Sequence, residues 1–288
     1  MADSEVISAA KFVDFLGDGV TVKTWLGEVR KIIDTLDAEL IICEVLGYDD
    51  RTEIVLNENR KLSDSELVTL GEKVERRRNG EPLAYILGHR DFYGRRFLVN
   101  SDVLIPRVET EDCVEMVCAQ FGGRKCTILD VGTGSGCIGV TLGLEIPEAR
   151  VVCLDISEKA LGIARKNARR LGAKNVEFLS SDLLSAYRGE KPDVIVAHLP
   201  YVDRSWDWVS PELKYEPELA LFATEGGLTL IRELLDNISR KWYNGSNDST
   251  VSIYLEADPS QHAKIVSYAK KLGFKHIKNK NYIIQLEL

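Results

Sequence analysis

Leu129-Asp130-Val131-Gly132-Thr133-Gly134-Ser135-Gly136 sets three alternating glycines where an apolar run gives way to a helical pattern. A strand that turns into a helix through such a loop lets a ligand approach the backbone closely. Working outward, residues 127–131, 150–154, 176–179, 193–197 and 251–255 are short apolar, strand-like runs separated by helical stretches. That alternation predicts an α/β domain whose parallel sheet is covered on both faces. Residues 275–276 and 282–288 add an expected antiparallel pair at the sheet edge.

Upstream the period changes. Trp25, Val29, Ile32, Ile33 and Leu36, then Leu40, Ile41 and Val45 before Gly47, recur at helical spacing, so a small helical bundle is expected over 21–79. Its last helix starts at Ser63-Asp64-Ser65-Glu66, a capping box, and stops at Asn79-Gly80. Over 83–105, aromatic and β-branched runs around Gly88 and Gly94 predict a hairpin. The resulting domains are helical over 1–80, a hairpin linker over 81–106 and the α/β domain over 107–288.

Composition narrows the function. A chain of 288 residues with 44% hydrophobic content can bury more than one core. A net charge of -8 argues against direct nucleic-acid binding, which draws affinity from Lys and Arg. No apolar run approaches the roughly 18 residues of a membrane span, and Met1-Ala2-Asp3-Ser4-Glu5 lacks the basic start of a signal peptide, so a cytoplasmic protein is expected. The six cysteines form no C-x-x-C pair, and His89, His262 and His276 have no partners at ligand spacing; neither disulfides nor metal are expected. Arg76-Arg77-Arg78 reads as a solvated helix end, and 244–249 as a solvated loop.

The glycine loop alone does not name its ligand. Gly134, Gly136 and Gly139 also satisfy the dinucleotide spacing, and Asp155, about 20 residues on, sits where a carboxylate accepts from ribose hydroxyls in nicotinamide enzymes too. Two features favour S-adenosylmethionine: Asp130 at the loop's opening, suited to an ammonium group, and Ser181-Asp182-Leu183 after the third strand, suited to an adenine amino group. Singly each residue is an ordinary cap or turn. Together, at successive strand ends, they mark a cofactor site.

The fourth strand runs straight into His198-Leu199-Pro200-Tyr201. This tetrapeptide resembles the Asn-Pro-Pro-Tyr that ends the same strand in methyltransferases acting on planar nitrogens. Further segments extend the likeness: Arg78 to Gly88, Leu104-Ile105-Pro106-Arg107 with Glu109 and Glu111, Tyr215-Glu216-Pro217 through Leu221, then Glu256 and Gln261. Over nearly its whole length the chain resembles the HemK-like release factor glutamine methyltransferases. The resemblance implies a Rossmann-like, seven-stranded class I methyltransferase domain behind a helical domain and a β-hairpin linker. It implies methyl transfer from S-adenosylmethionine, leaving S-adenosylhomocysteine, to the glutamine amide of the Gly-Gly-Gln motif in a peptide chain release factor, by a monomer gripping its protein substrate with the bundle.

Carried over residue by residue, the resemblance gives His198, Leu199, Pro200 and Tyr201 as catalytic. Asp130, Gly132, Thr133, Gly134, Gly136, Asp155, Ile156, Asp182, Leu183 and His198 would bind cofactor; Arg107, Glu109, His198, Pro200, Tyr201, Glu216 and Pro217 would bind substrate. An amide nitrogen is a poor nucleophile, so both its hydrogens need acceptors: the side chain at 198 and the carbonyl of 199. Leu199 precedes Pro200 and keeps an extended bias. His198 departs more seriously, because neutral imidazole accepts one hydrogen bond and imidazolium none. Weakened or abolished glutamine methylation is therefore expected, falling further as pH drops through about 6.5, the ordinary histidine value. The alternatives are methylation of another amide or exocyclic amine, nucleobases included, and a protein that binds cofactor and release factor but turns over weakly.

Overall fold

The computed structural model describes residues 19–206, 210–243 and 250–288; the chain's first residues and the expected loop at 244–249 lie outside them. The chain divides into two compact units between Gly88 and His89.

The first unit is helical: α1 Val22–Val29, α2 Thr35–Leu46, α3 Thr52–Leu56, α4 Asp64–Arg78 and α5 Leu83–Leu87. Each long helix has a local start signal. Thr21 and Thr24 cap α1 reciprocally, Asp34 accepts from the Leu36 amide at 2.8 Å, and Ser63 and Glu66 close the expected capping box on α4. Trp25, Ile41, Ile42 and Leu70 are fully buried between these helices. The arginine run ending α4 keeps Arg76 exposed, and each arginine is also paired: Arg76 with Glu81, Arg77 with Asp37 on α2, and Arg78 with Glu75. Residues 83–87, expected in the hairpin, form α5 instead. Pro82 starts it, and Ile86, 2% exposed, fills the bundle core, so packing overrides the β-branched local pattern.

The second unit opens with a hairpin, β1 His89–Phe92 and β2 Arg95–Leu98. Its two-residue turn has positive φ at both Tyr93 (49°) and Gly94 (68°), the twist that such hairpins require. Phe92 and Phe97 pack edge-to-face at 6.0 Å. There follow α6 Glu111–Phe121, β3 Thr127–Val131, α7 Cys137–Glu145, β4 Arg150–Asp155, α8 Glu158–Leu171, β5 Val176–Ser180, β6 Val194–Ala197, α9 Glu218–Leu221, α10 Thr229–Trp242, β7 Ser252–Glu256, α11 His262–Lys271, β8 Lys275–Lys280 and β9 Ile283–Glu287.

These strands form one seven-stranded sheet in the order β5-β4-β3-β6-β7-β9-β8; β9 runs antiparallel to both neighbours, and the other pairs are parallel. Alternation along each strand feeds two cores. Leu129, Val131, Ile195 and Ala197 pack with α10 and α11, whereas Ile128, Val194 and Val196 pack with α6 and α7. The strand order reverses between β3 and β6, which opens a crevice beyond their carboxyl ends. Buried Asn167 of α8 ties the hairpin to that crevice: it exchanges hydrogen bonds with the Leu98 amide and carbonyl and donates to the Ser135 carbonyl at 2.9 Å.

The antiparallel edge has its own polar fastener. Gln120 of α6 accepts from the buried Tyr254 hydroxyl at 2.7 Å and from Gln285 Nε2 at 2.8 Å. Gln120→Leu leaves both donors without that acceptor, so a loss of about 2–4 kcal/mol is expected, measured as a lower denaturation midpoint at constant slope.

Candidate active site

Beyond the carboxyl ends of β3 to β6 lies a cleft that opens to solvent. One wall is the glycine loop, Gly132 to Ser135; the end of β4 contributes Asp155, Ile156 and Ser157, and the turn after β5 contributes Ser181, Asp182 and Leu183. His198, Leu199 and Pro200 also line it, as do Pro106, Thr110 and Pro217.

The loop is held from below. Gly132 and Thr133 both donate to the Leu154 carbonyl, at 2.8 and 3.0 Å. A Cβ on Gly132 would meet Leu199 Cδ2 at 3.0 Å and the His198 carbonyl at 3.5 Å, so the bare backbone lets the two loops touch. At Gly136 a Cβ would meet Ala164 and Val140 at 3.0 and 3.1 Å, because α7 starts hard against α8. Asp155 accepts from the Gly134 amide and from the Ser157 amide, each at 2.8 Å, and burial raises its pKa. Ser181 accepts from Ala186 N–H and donates to the Leu183 carbonyl, closing a turn in which Leu183 sits at φ 45°. A branched apolar residue in that region carries strain of about 1–3 kcal/mol, a feature that clusters at ligand sites.

Asp130 stands elsewhere than its sequence position suggests. It is fully buried and absent from the cleft wall, because alternation along β3 turns it toward α7. Its Oδ2 accepts from the Thr133 hydroxyl at 2.6 Å and the Gly139 amide at 2.9 Å, while Oδ1 has no partner among the described residues. In this arrangement it anchors the loop. A Cβ on Gly139 would fall 2.7 Å from that carboxylate and 2.4 Å from Cys153 Sγ.

A second cleft lies across the tetrapeptide, lined by Arg107, Tyr201, Val202, Leu213 and Glu216, and shares Leu104, His198, Leu199 and Ala220 with the first. Of the tetrapeptide, His198 and Leu199 line both clefts, Pro200 the first and Tyr201 the second. Gln261 donates to the Tyr201 carbonyl at 2.8 Å and the Gly226 carbonyl at 2.7 Å, fixing its far end. Burial raises the Tyr201 phenol well above its ordinary pKa, so it stays neutral. Arg107 and Glu216 pair with each other at 2.6 Å, and Glu216, 5% exposed, also accepts from the Ile105 amide at 3.0 Å. Glu109 is exposed and lines neither cleft.

Residues 123–238 match a methyltransferase domain family and residues 30–88 the PrmC N-terminal domain. The chain is 44% identical over 208 residues to the release factor glutamine methyltransferase of Koribacter versatilis, covering 70% of this chain and 73% of that one. To that of Bacillus anthracis it is 33% identical over 246 residues, covering 79% and 86%. The chain belongs to the release factor glutamine methyltransferases. The Neisseria gonorrhoeae member is also close, at 40% identity over 223 residues, 75% of this chain and 78% of the relative. Like them it is an S-adenosylmethionine-dependent methyltransferase of α/β fold. The release factor glutamine methyltransferase fold thus resolves what the glycines alone left open between two cofactors. The residues present suit S-adenosylmethionine: a loop free of side chains toward the cleft at Gly134, a carboxylate at the end of β4 and an apolar pocket wall beyond it. No helix among the described residues is long and apolar enough to cross a membrane.

Sequence reasoning assigned no role to Thr110, which lies 3.5 Å from His198 Nδ1, and gave Glu256 no function although its carboxylate reaches the same nitrogen. The available signal was the position of Glu256 at the end of a wholly buried strand.

Burial pushes the Asp130 carboxyl up to about 6 against an ordinary 3.8, with the hydrogen bonds from Thr133 and Gly139 opposing it. A raised folded-state value means that this contribution is complete below about pH 4 and is lost as pH rises through about 6. Relative to Asp130→Asn, the parent without cofactor should therefore lose on the order of 2–3 kcal/mol between about pH 4 and pH 8. Unfolding free energies of both proteins across that range check it; a constant difference contradicts it.

Proposed function

We propose that this chain transfers a methyl group to the side-chain amide nitrogen of the glutamine in the Gly-Gly-Gln motif of a peptide chain release factor. The observation that carries the reading is the placing of the tetrapeptide: His198 and Leu199 line both adjoining clefts, Pro200 the first and Tyr201 the second. Family membership supplies the substrate, since the relatives bear that activity in their names.

S-adenosylmethionine supplies an electrophilic methyl group on a sulfonium. Asp155 would accept from the ribose hydroxyls, and Asp182 and Leu183 would border the adenine, with Gly132, Thr133, Gly134, Gly136 and Ile156 framing the rest. On the far side, His198 and the Leu199 carbonyl accept from the two amide hydrogens, and Tyr201 packs against the amide plane. Fixing the amide this way aligns its nitrogen with the methyl carbon. The sulfonium would give up its methyl group to the amide nitrogen and leave as a neutral thioether, and the nitrogen would give up one proton to solvent. The paired Arg107 and Glu216, with Pro217, shape the entrance rather than presenting free charges. The first unit, matching the family's N-terminal domain, holds the protein substrate.

Labelled S-adenosylmethionine, a release factor and mass mapping of the modified residue test the reading. Both the parent and His198→Asn are expected to label the glutamine, the variant at least as fast. Cofactor binding without transfer in either protein would sink the assignment; transfer to nucleosides or RNA instead would favour the exocyclic-amine alternative.

A further inference from the structure

We propose that Glu256 fixes the tautomer of His198, holding the ring proton on Nδ1 so that Nε2 offers its lone pair to the substrate amide. The inference deepens the glutamine-methylation reading and rests on it. Parallel pairing of Ala197 with Leu255 brings the next residues on the two strands, His198 and Glu256, side by side. The Glu256 carboxylate is 3% exposed and lines neither cleft. Its Oε2 has no hydrogen bond among the described residues, yet His198 Nδ1 lies 3.4 Å away. That separation is longer than a formed bond of about 2.7–3.2 Å, as such contacts commonly are before substrate binds.

The chemistry selects one tautomer. An ionised carboxylate only accepts, so a bare Nδ1 would set two lone pairs against each other in a dry site. Thr110 Oγ1, 3.5 Å from Nδ1, adapts to either case because a hydroxyl donates or accepts. Other titratable groups that feel Glu256 are Cys113, Cys137 and Tyr201, all held neutral by burial, which pushes Cys137 up to about 12. None supplies the donor that Oε2 lacks. The Tyr201 ring stacks on the imidazole at 5.7 Å and 21°, restraining its tilt. No hydrogen bond among the described residues reaches Nε2, and His198 is a lining residue of both clefts. A histidine with its Nδ1–H given to a carboxylate presents Nε2 as an acceptor, the arrangement that lets imidazole do an asparagine carbonyl's work. Glu256 is thus a positioning residue that acts through His198.

Four proteins test this: the parent, Glu256→Gln, His198→Asn and the double variant, each assayed for glutamine methylation in a release factor. A glutamine at 256 can face Nδ1 with either end of its amide, so the preference is lost. With histidine at 198, Glu256→Gln is expected to lower kcat about tenfold more than it does with asparagine at 198, which has no tautomers. Equal factors in the two backgrounds overturn the proposal. Nitrogen-15 imidazole spectra, assigned by loss of the His198 signals in His198→Asn, read the tautomer without turnover. Nδ1–H in the parent and a mixture in Glu256→Gln are expected; Nε2–H in the parent overturns the inference whatever the rates. Failure of both the parent and His198→Asn to methylate the glutamine would instead strike the substrate reading, leaving the spectra to decide the tautomer.

Discussion

The parallel pairing of Val131 with Ala197 determines where chemistry can occur in this molecule. It ends β3 and β6 at the same level, so the glycine loop and the tetrapeptide emerge side by side, touching where Gly132 lacks a Cβ. Everything at the site hangs from that contact. Asp130 holds the loop from beneath, Gln261 holds the tetrapeptide from its far end, and Asn167 ties the hairpin to the loop. A shift of one residue in this register would turn Asp130 onto the face packed by α10 and α11 and send an apolar side chain into its place, because alternation has a period of two.

Most of the second unit was legible in the sequence, for a physical reason. Central parallel strands are buried on both faces, so 127–131, 150–155 and 194–197 read as apolar runs whose lengths leave little ambiguity. The capping box at Ser63 was equally plain, since its geometry is local. The helix Leu83–Leu87 was not, because five residues are too few to carry a helical period; Pro82 and burial of Ile86 decide the matter. The orientation of Asp130 was legible in principle, given alternation from Leu129 and Val131, but the glycine motif drew attention to the strand's end instead. Glu216 and Arg107 could not be recognised as partners, since they stand over 100 residues apart and meet only in the fold.

The two clefts give the departure at position 198 its context. Replacing an amide by an imidazole changes both reach and protonation, and neither can be judged from the side chain alone. Here the ring stacks on Tyr201, with a buried carboxylate and a hydroxyl at one nitrogen. The surroundings therefore specify how the ring sits, much as outer hydrogen bonds orient histidines in metal sites.

The strand Ile283–Glu287 lies between Ser252–Glu256 and Lys275–Lys280 rather than outside them. A ribosome delivers residues in order, so β7 and β8 are both made before the strand that joins them. Until then the edge of β7 has no antiparallel partner, and the buried face around Tyr254 lacks one of its walls. The sheet is therefore complete only once residues 283–287 have joined it, and the carboxylate that ends β7 gains its final surroundings with that pairing.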